Sequence, residues 1–492
     1  MNVREAAVLM GADTAGLGAA IFDNTITGFS IDSRSVGAGE LFFALSQQDY
    51  TRAGFNGEFV DAHRFIADAF QSGAIAAVAR KDRVTGDAEL EAVRDRLVLV
   101  DDAIAALQQL AHRVYEAWNK PVVGITGSAG KTTAKELTAH VLKSAGHRVL
   151  KSERNYNNGL GLPLSVLRMV SEGNSPDQFD LAVLEMGMSS PTHEIKRLCR
   201  ITPPDVGVEL MVAPVHLEYL GTIENVAAAK AELIEGLKPS GTAILNADDA
   251  LVMKMREKHS GKTLTFGIAN RADVSAAEID TRHLGKISFR LLTPNGEARA
   301  QLAMSGQHNL SNALAAATVG VSFGMSAQQI ADALSTARPP KMRGEIVDFA
   351  AGFTVIDDSY NSNPRSLLNM VRTMADARES RKRLLVIAGE MLELGSEEAS
   401  LHRAAGRDIA ETGVNVLWGV RGLAKEIIAG AEQAGLSQTR FFESSDEAAV
   451  EIVKEVKDGD LVLVKGSRGV ATEKVINALK AQFPLAGEDV RN

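Results

Sequence analysis

Lys131, Thr132 and Thr133 follow Gly127 and Gly130 in the stretch GITGSAGKTT, Gly124 to Thr133. Glycines at those positions let backbone N–H groups approach phosphate oxygens, and a following helix adds the positive end of its dipole. Lys131 can reach β and γ phosphates, and the Thr132 hydroxyl can face Mg²⁺. Ser128, Ala129 and Thr133 complete the candidate nucleotide loop. The strict pattern G-x-x-x-x-G-K-[ST] is not met, because Ile125 stands where its first glycine belongs. A plain glycine turn between strand and helix does not explain Gly-Lys-Thr-Thr at the helix start.

Three residues downstream could hold a cation. Glu185 ends the apolar run DLAVLE, and His216 follows the run VGVELM. Ligands gather at the carboxyl ends of strands in open α/β sheets, and carboxylates suit Mg²⁺. A solvated strand end and a structural histidine are the plainer readings of these two. Lys230 lies in TIENVAAAKAELIEGL, on the apolar stripe of Ile223, Val226, Ala227, Ile234 and Leu237. A free ammonium there is costly. The side chain can snorkel, pair with a carboxylate, or lose its proton and react with CO₂ to give an oxygen-bearing carbamate.

The elements that must carry these residues are legible from periodicity. PVVGITG is a buried run ending in glycine, and KTTAKELTAHVLKSAG has helical spacing with a glycine stop. FDLAVLEMG, DVGVELM and GTAILNADD follow as strands with helical pieces between them, which implies a mostly parallel sheet. Beyond the break STARPPKMRGE the alternation continues. The strands are FTVIDDS, RLLVIAGE, VNVLWGV, TRFFES and DLVLVKGS, and helical runs separate them. This predicts a doubly wound α/β domain. The 492 residues suggest about three domains. The expected division is 1–115, 116–336 and 337–492.

Apolar residues make up 45% of the chain and its net charge is −9, with no basic block, which argues against nucleic acid as a partner. No apolar run is long enough for a bilayer, and the start lacks a signal-peptide pattern. The single cysteine, Cys199, cannot form an internal disulfide, so a cytoplasmic protein is expected.

The whole set resembles the Mur ligase family, whose phosphate loop has the form T-G-x-x-G-K-T/S-T, here TGSAGKTT. LEMG, HLEYLG and AAAKAEL carry the family's metal glutamate, histidine and carbamylated lysine onto Glu185, His216 and Lys230. NYNNGLGLP, with Asn157 and Asn158, matches the segment after the loop helix on the peptide-substrate side. GQHNLSNALAA puts Asn312 at the adenine, KMRGE puts Arg343 at the phosphates, and DDSYNSNP puts Asp358 at the ribose. IDSRSVGAGELFFAL resembles the UDP-site signature, with Ser33 and Arg34.

The resemblance implies an α/β chain of three domains. These are an N-terminal UDP-binding domain, a central P-loop ATPase domain with a mostly parallel sheet, and a C-terminal Rossmann-like domain. DSYNSNPRSL, GEMLELG and VLVKGSRG resemble the branch that joins D-Ala-D-Ala to a UDP-N-acetylmuramoyl-tripeptide with ATP and two Mg²⁺ ions. Tyr360, Asn361 and Asn363 then line the dipeptide side, although an Asx-rich turn before Pro364 explains the asparagines equally. The implied chemistry is activation of a carboxylate as an acyl phosphate by a monomer without membrane insertion. The rivals are the tripeptide synthetase, a folylpolyglutamate synthase, and a nucleotide-switch binding module.

Overall fold

The computed structural model describes residues 1–153, 155–188, 193–215, 217–377 and 383–487. The chain divides into two compact units: Met1–Val212 with Glu224–Thr265, and Ala213–Ile223 with Phe266–Asn492. The architecture is α/β, with parallel pairing dominant in three sheets.

The first unit begins with a four-stranded sheet, β1 (Phe29–Ser30), β2 (Leu41–Phe43), β3 (Ala76–Arg80) and β4 (Leu97–Val100), paired in that order and all parallel. Its interior strands are apolar without alternation, as strands covered on both faces require. The second sheet of this unit is built from β5 (Val122–Thr126), β6 (Val149–Lys151), β7 (Leu181–Glu185), β8 (Val206–Glu209) and β9 (Thr242–Asn246). They run parallel in the order β9-β8-β5-β7-β6. β5 sits in the middle, so the loop after it opens at the carboxyl edge of the sheet, flanked by the ends of β7 and β8.

In the second unit the end of β10 (Lys262–Gly267) pairs in parallel with β11 (Val274–His283). β11, β12 (Lys286–Thr293) and β13 (Gly296–Leu302) then form an antiparallel meander. The sequence reading did not identify this meander. Its apolar residues alternate, with Ile287, Phe289 and Leu291 buried, as in a sheet with one face covered.

The remaining strands are β14 (Glu345–Asp348), β15 (Thr354–Asp358), β16 (Leu384–Gly389), β17 (Val416–Val420), β18 (Thr439–Phe442) and β19 (Leu461–Lys465). Their order is β14-β15-β19-β16-β17-β18, and only β14 is antiparallel. Alternate residues feed two cores. Val355, Ile387, Val462 and Val464 join one, and Ile356, Val386, Leu461 and Leu463 join the other. The five helices expected between and after these strands are present, at Pro364–Ala377, Glu398–Ala410, Ala424–Gln433, Ser445–Glu455 and Glu473–Gln482. No helix among the described residues is long and apolar enough to cross a membrane.

Candidate active site

The loop after β5 has the backbone that phosphate binding needs. Gly127 has φ +151° and Gly130 has φ +85°. A Cβ on Gly127 would meet Leu210 Cβ at 2.8 Å, so no other residue fits against the end of β8. The Ser128 amide donates to the Met211 carbonyl at 2.8 Å, which pins the loop to the segment after β8. The helix Lys131–Ser144 starts directly after Gly130, and Lys131 Nζ lies 2.8 Å from the Gly127 carbonyl that accepts its proton. The Lys131 ammonium and the first amides of the helix thus share one end of the loop.

Glu185 closes β7 beside this helix. Its carboxylate accepts from the Thr132 hydroxyl at 2.9 Å and from Asn157 Nδ2 at 2.9 Å. The Ser152 hydroxyl accepts the Glu185 backbone N–H at 3.0 Å, which fixes the strand end. Only 3% of Glu185 is exposed, yet the donors seen on its carboxylate are neutral. A buried carboxylate and a hydroxyl side by side are hard oxygen donors that complement a divalent cation, so these residues fit magnesium. Asn158 does something else. Its Oδ1 accepts from the amides of Leu160 and Gly161 and shapes the start of the next helix.

Lys230 lies where its stripe predicts, 2% exposed on the helix Ile223–Glu235. Burial drives its ammonium down to about 7, the Lys131 charge pushes the same way, and Glu209 pulls back. Snorkelling is thereby set aside, because this side chain does not reach solvent. Glu209 is a residue that sequence reasoning missed. It pairs in register with Thr126, and both fall two residues after glycines, Gly207 and Gly124, that face Leu233 of the same helix. Lys230 is three residues before Leu233, hence on that face too. Glu209 is fully buried, and neither of its carboxyl oxygens nor Thr126 Oγ1 has a hydrogen-bond partner among the described residues. Burial raises its carboxyl to about 8, against the pull of Lys230 and Lys131. The signal was available as a lone carboxylate inside the apolar run VGVELMV. His216 lies outside the described residues.

The other candidates lie on other elements. Ser33 and Arg34 form a short 3-10 turn capped by Asp32, and Arg34 pairs with Asp32 at 2.8 Å while its side chain remains 87% exposed. In the second unit, Asn312 is buried on the helix Gln307–Ser322. Arg343 stacks over the Tyr360 ring at 4.1 Å, and Asp358 is ion-paired with Lys465 at 2.6 Å. Asn361 Oδ1 accepts from Ser362 N–H, and Asn363 caps the following helix by accepting from Ser366 N–H at 2.8 Å. Asn363 thus also serves as the cap of that helix.

Residues 125–320 match the Mur ligase middle domain, and residues 342–468 match the Mur ligase, glutamate ligase domain. The chain belongs to the Mur ligase family. Its relatives include the Bacillus subtilis UDP-N-acetylmuramoyl-tripeptide–D-alanyl-D-alanine ligase, 32% identical over 94% of both chains. The Escherichia coli ligase of the same name is 30% identical over 93% of this chain and 94% of its own. Among solved structures, MurF from Acinetobacter baumannii superposes with a TM-score of 0.81 at 27% identity, covering 98% of this chain and 99% of its own. MurF ligase from Thermotoga maritima in complex with ADP gives 0.76 at 26% identity, over 92% and 97%. A Mycobacterium tuberculosis folylpolyglutamate synthase shares the fold at 15% identity over 76% of this chain. The Mur ligase assignment accounts for the loop departing from the strict pattern at Ile125.

Proposed function

We propose that this chain is an ATP-dependent ligase that joins D-alanyl-D-alanine to a UDP-N-acetylmuramoyl-tripeptide, giving ADP and phosphate. The observation that carries it is the arrangement of Lys131, Thr132 and Glu185 around the glycine loop, in a chain collinear with relatives of that name. The terminal carboxylate of the tripeptide attacks the γ-phosphorus of ATP, and the bond to the β-phosphate oxygen breaks. The dipeptide amine then attacks the acyl-phosphate carbonyl carbon and inorganic phosphate leaves. Such chemistry asks the protein mainly for positioning and charge neutralisation.

Lys131 and the loop amides neutralise charge developing on the β and γ phosphates. Magnesium held by Thr132 and Glu185, and at a second position by His216 and carbamylated Lys230, would supply further charge neutralisation there. Asn157 holds the Glu185 carboxylate in place. Asn312, Arg343 and Asp358 are proposed for adenine, phosphate and ribose, and Ser33 and Arg34 for the UDP end. Asn157, Asn158, Tyr360, Asn361 and Asn363 remain proposed for the peptide substrates, with Asn158 and Asn363 also serving the backbone as described. We read the three sheets as the cores of three domains, 1–115, 116–336 and 337–492, in a cytoplasmic monomer.

The test is phosphate release across a panel of acceptors. Turnover is expected only with ATP, a UDP-muramoyl-tripeptide and D-Ala-D-Ala together. Product formed with free diaminopimelate, lysine or glutamate but not with the dipeptide would overturn the reading.

A further inference from the structure

At the carboxyl edge of the six-stranded sheet, a single ammonium ties the segment that carries three of the candidate substrate contacts. β15 and β19 are parallel neighbours, and Asp358 and Lys465 are register partners at their ends. Side chains of register partners project from the same face, so their charges meet without any loop rearrangement. Lys465 Nζ donates to Asp358 Oδ2 at 2.6 Å and to the Asn361 carbonyl at 2.9 Å. Its side chain is only 4% exposed and that of Asp358 is 15% exposed.

The same rim is fastened at further points. Tyr360 N–H donates to the Met342 carbonyl at 3.2 Å, and Gly344 N–H donates to the Asp357 carbonyl at 2.8 Å. Arg343, between them, stacks on Tyr360. Met342 holds φ +62°, a left-handed backbone that a methionine keeps only when its surroundings enforce it. Asp358, Tyr360 and Asn361 thus lie on one short segment, with Arg343 fastened to it, and Lys465 is the cation at its root.

We infer that Lys465 is a positioning residue for nucleotide and dipeptide binding. It orients the Asp358 carboxylate and fixes the Asn361 backbone, and it touches neither substrate's reacting atoms. This rests on the proposed function, which assigns Asp358 to the ribose and Asn361 to the dipeptide side. A lysine here is more than a stability device. An ion pair this far from water adds little net stability, whereas removing its cation strands the Asp358 carboxylate without its partner and loosens the segment it holds.

The test compares wild type with Lys465→Met and Lys465→Gln in the full chain. Both variants are expected to raise KM for ATP and for D-Ala-D-Ala about tenfold, the loss typical of a hydrogen bond to a charged group. KM for the UDP-tripeptide and kcat should change less than about threefold, because Lys131, Thr132 and Glu185 are untouched. Calorimetry with a non-hydrolysable ATP analogue should show the same loss of affinity, and amide exchange should quicken at Ser359–Asn363. Lys465→Arg should restore most of the affinity, since it keeps the charge. Unchanged KM values and unchanged exchange in a folded variant would overturn the inference. So would failure of both neutral variants to fold, which would assign the ammonium to the fold alone. Wild-type protein without dipeptide-dependent turnover would instead count against the proposed function.

Discussion

Lys230 and Glu209 are both buried between β8 and the helix Ile223–Glu235, and each departs from ordinary behaviour because of burial. Lys230 was legible in the sequence, since a lysine on an apolar stripe breaks a 3.6-residue pattern. Glu209 was not read, because a carboxylate in a short strand looks like a strand end until the register with Thr126 is known. Removing Lys230 removes the amine that a carbamate needs. Lys230→Ala should lower turnover by roughly a hundredfold and leave ATP affinity nearly intact, with acetate or formate restoring part of the rate. An alanine variant with a near-wild-type rate, indifferent to added carboxylate, would end the carbamate role. Glu209 gives a prediction about pH. Its carboxyl titrates at about 8 in the fold, against roughly 4.3 in an unfolded chain. The folded state holds more protons between those values. The stability Glu209 contributes is therefore complete below the unfolded value and is lost as pH rises towards 8, by at most about 1.4 kcal/mol per pH unit. Glu209→Gln does not titrate, so its thermal midpoint should gain on the wild type steadily from pH 5 to pH 8. A constant difference over that range would show that Glu209 does not carry the shift.

At the scale of elements, the strand–loop–helix unit β5, Gly127–Gly130 and Lys131–Ser144 concentrates its constraints at one glycine. Gly127→Ala would drive a methyl group against Leu210 Cβ and towards the Met211 amide, 3.3 Å away. The backbone of β8 cannot yield without disturbing Glu209 and the pairing with β5. The loop should shift instead, and affinity for an ATP analogue should fall at least about tenfold, as expected when several loop amides lose alignment. Calorimetry showing wild-type affinity in a folded Gly127→Ala protein would refute that account. This unit was legible because glycine, lysine and threonine each have a distinct reason to be there. The C-terminal strands and helices were legible for another reason, the regular exchange of buried β runs with helical periodicity. The meander β11–β13 escaped notice although its alternation is plain once seen, since Lys286, Ser288 and Arg290 interrupt the apolar residues. Antiparallel strands with one solvated face carry half the hydrophobic signal of a buried parallel strand. Asn158 and Asn363 show a further limit. Their residue type suits both a ligand and a backbone cap, and only the hydrogen-bond partners separate the two.

For the whole molecule, the division into two compact units predicts more than one cooperative step on heating. Of the candidate residues, Lys131 and Thr132 belong to the first unit, and Asn312, Arg343 and Asp358 to the second. A ligand bound only by the phosphate loop stabilises only the first unit. Stabilisation follows RT ln(1 + [L]/Kd), about 2.7 kcal/mol at a hundred times Kd. A ligand that uses Asn312, Arg343 and Asp358 must raise the second transition. Differential scanning calorimetry with a non-hydrolysable ATP analogue and magnesium should therefore show both transitions rising. Asp358→Asn should preserve the rise of the first transition and reduce that of the second. Lys131→Ala should suppress both, because the ligand then loses its main charge contact. A first transition that rises while the second stays fixed in wild-type protein would remove Asn312, Arg343 and Asp358 from the nucleotide site and leave the glycine loop assignment standing.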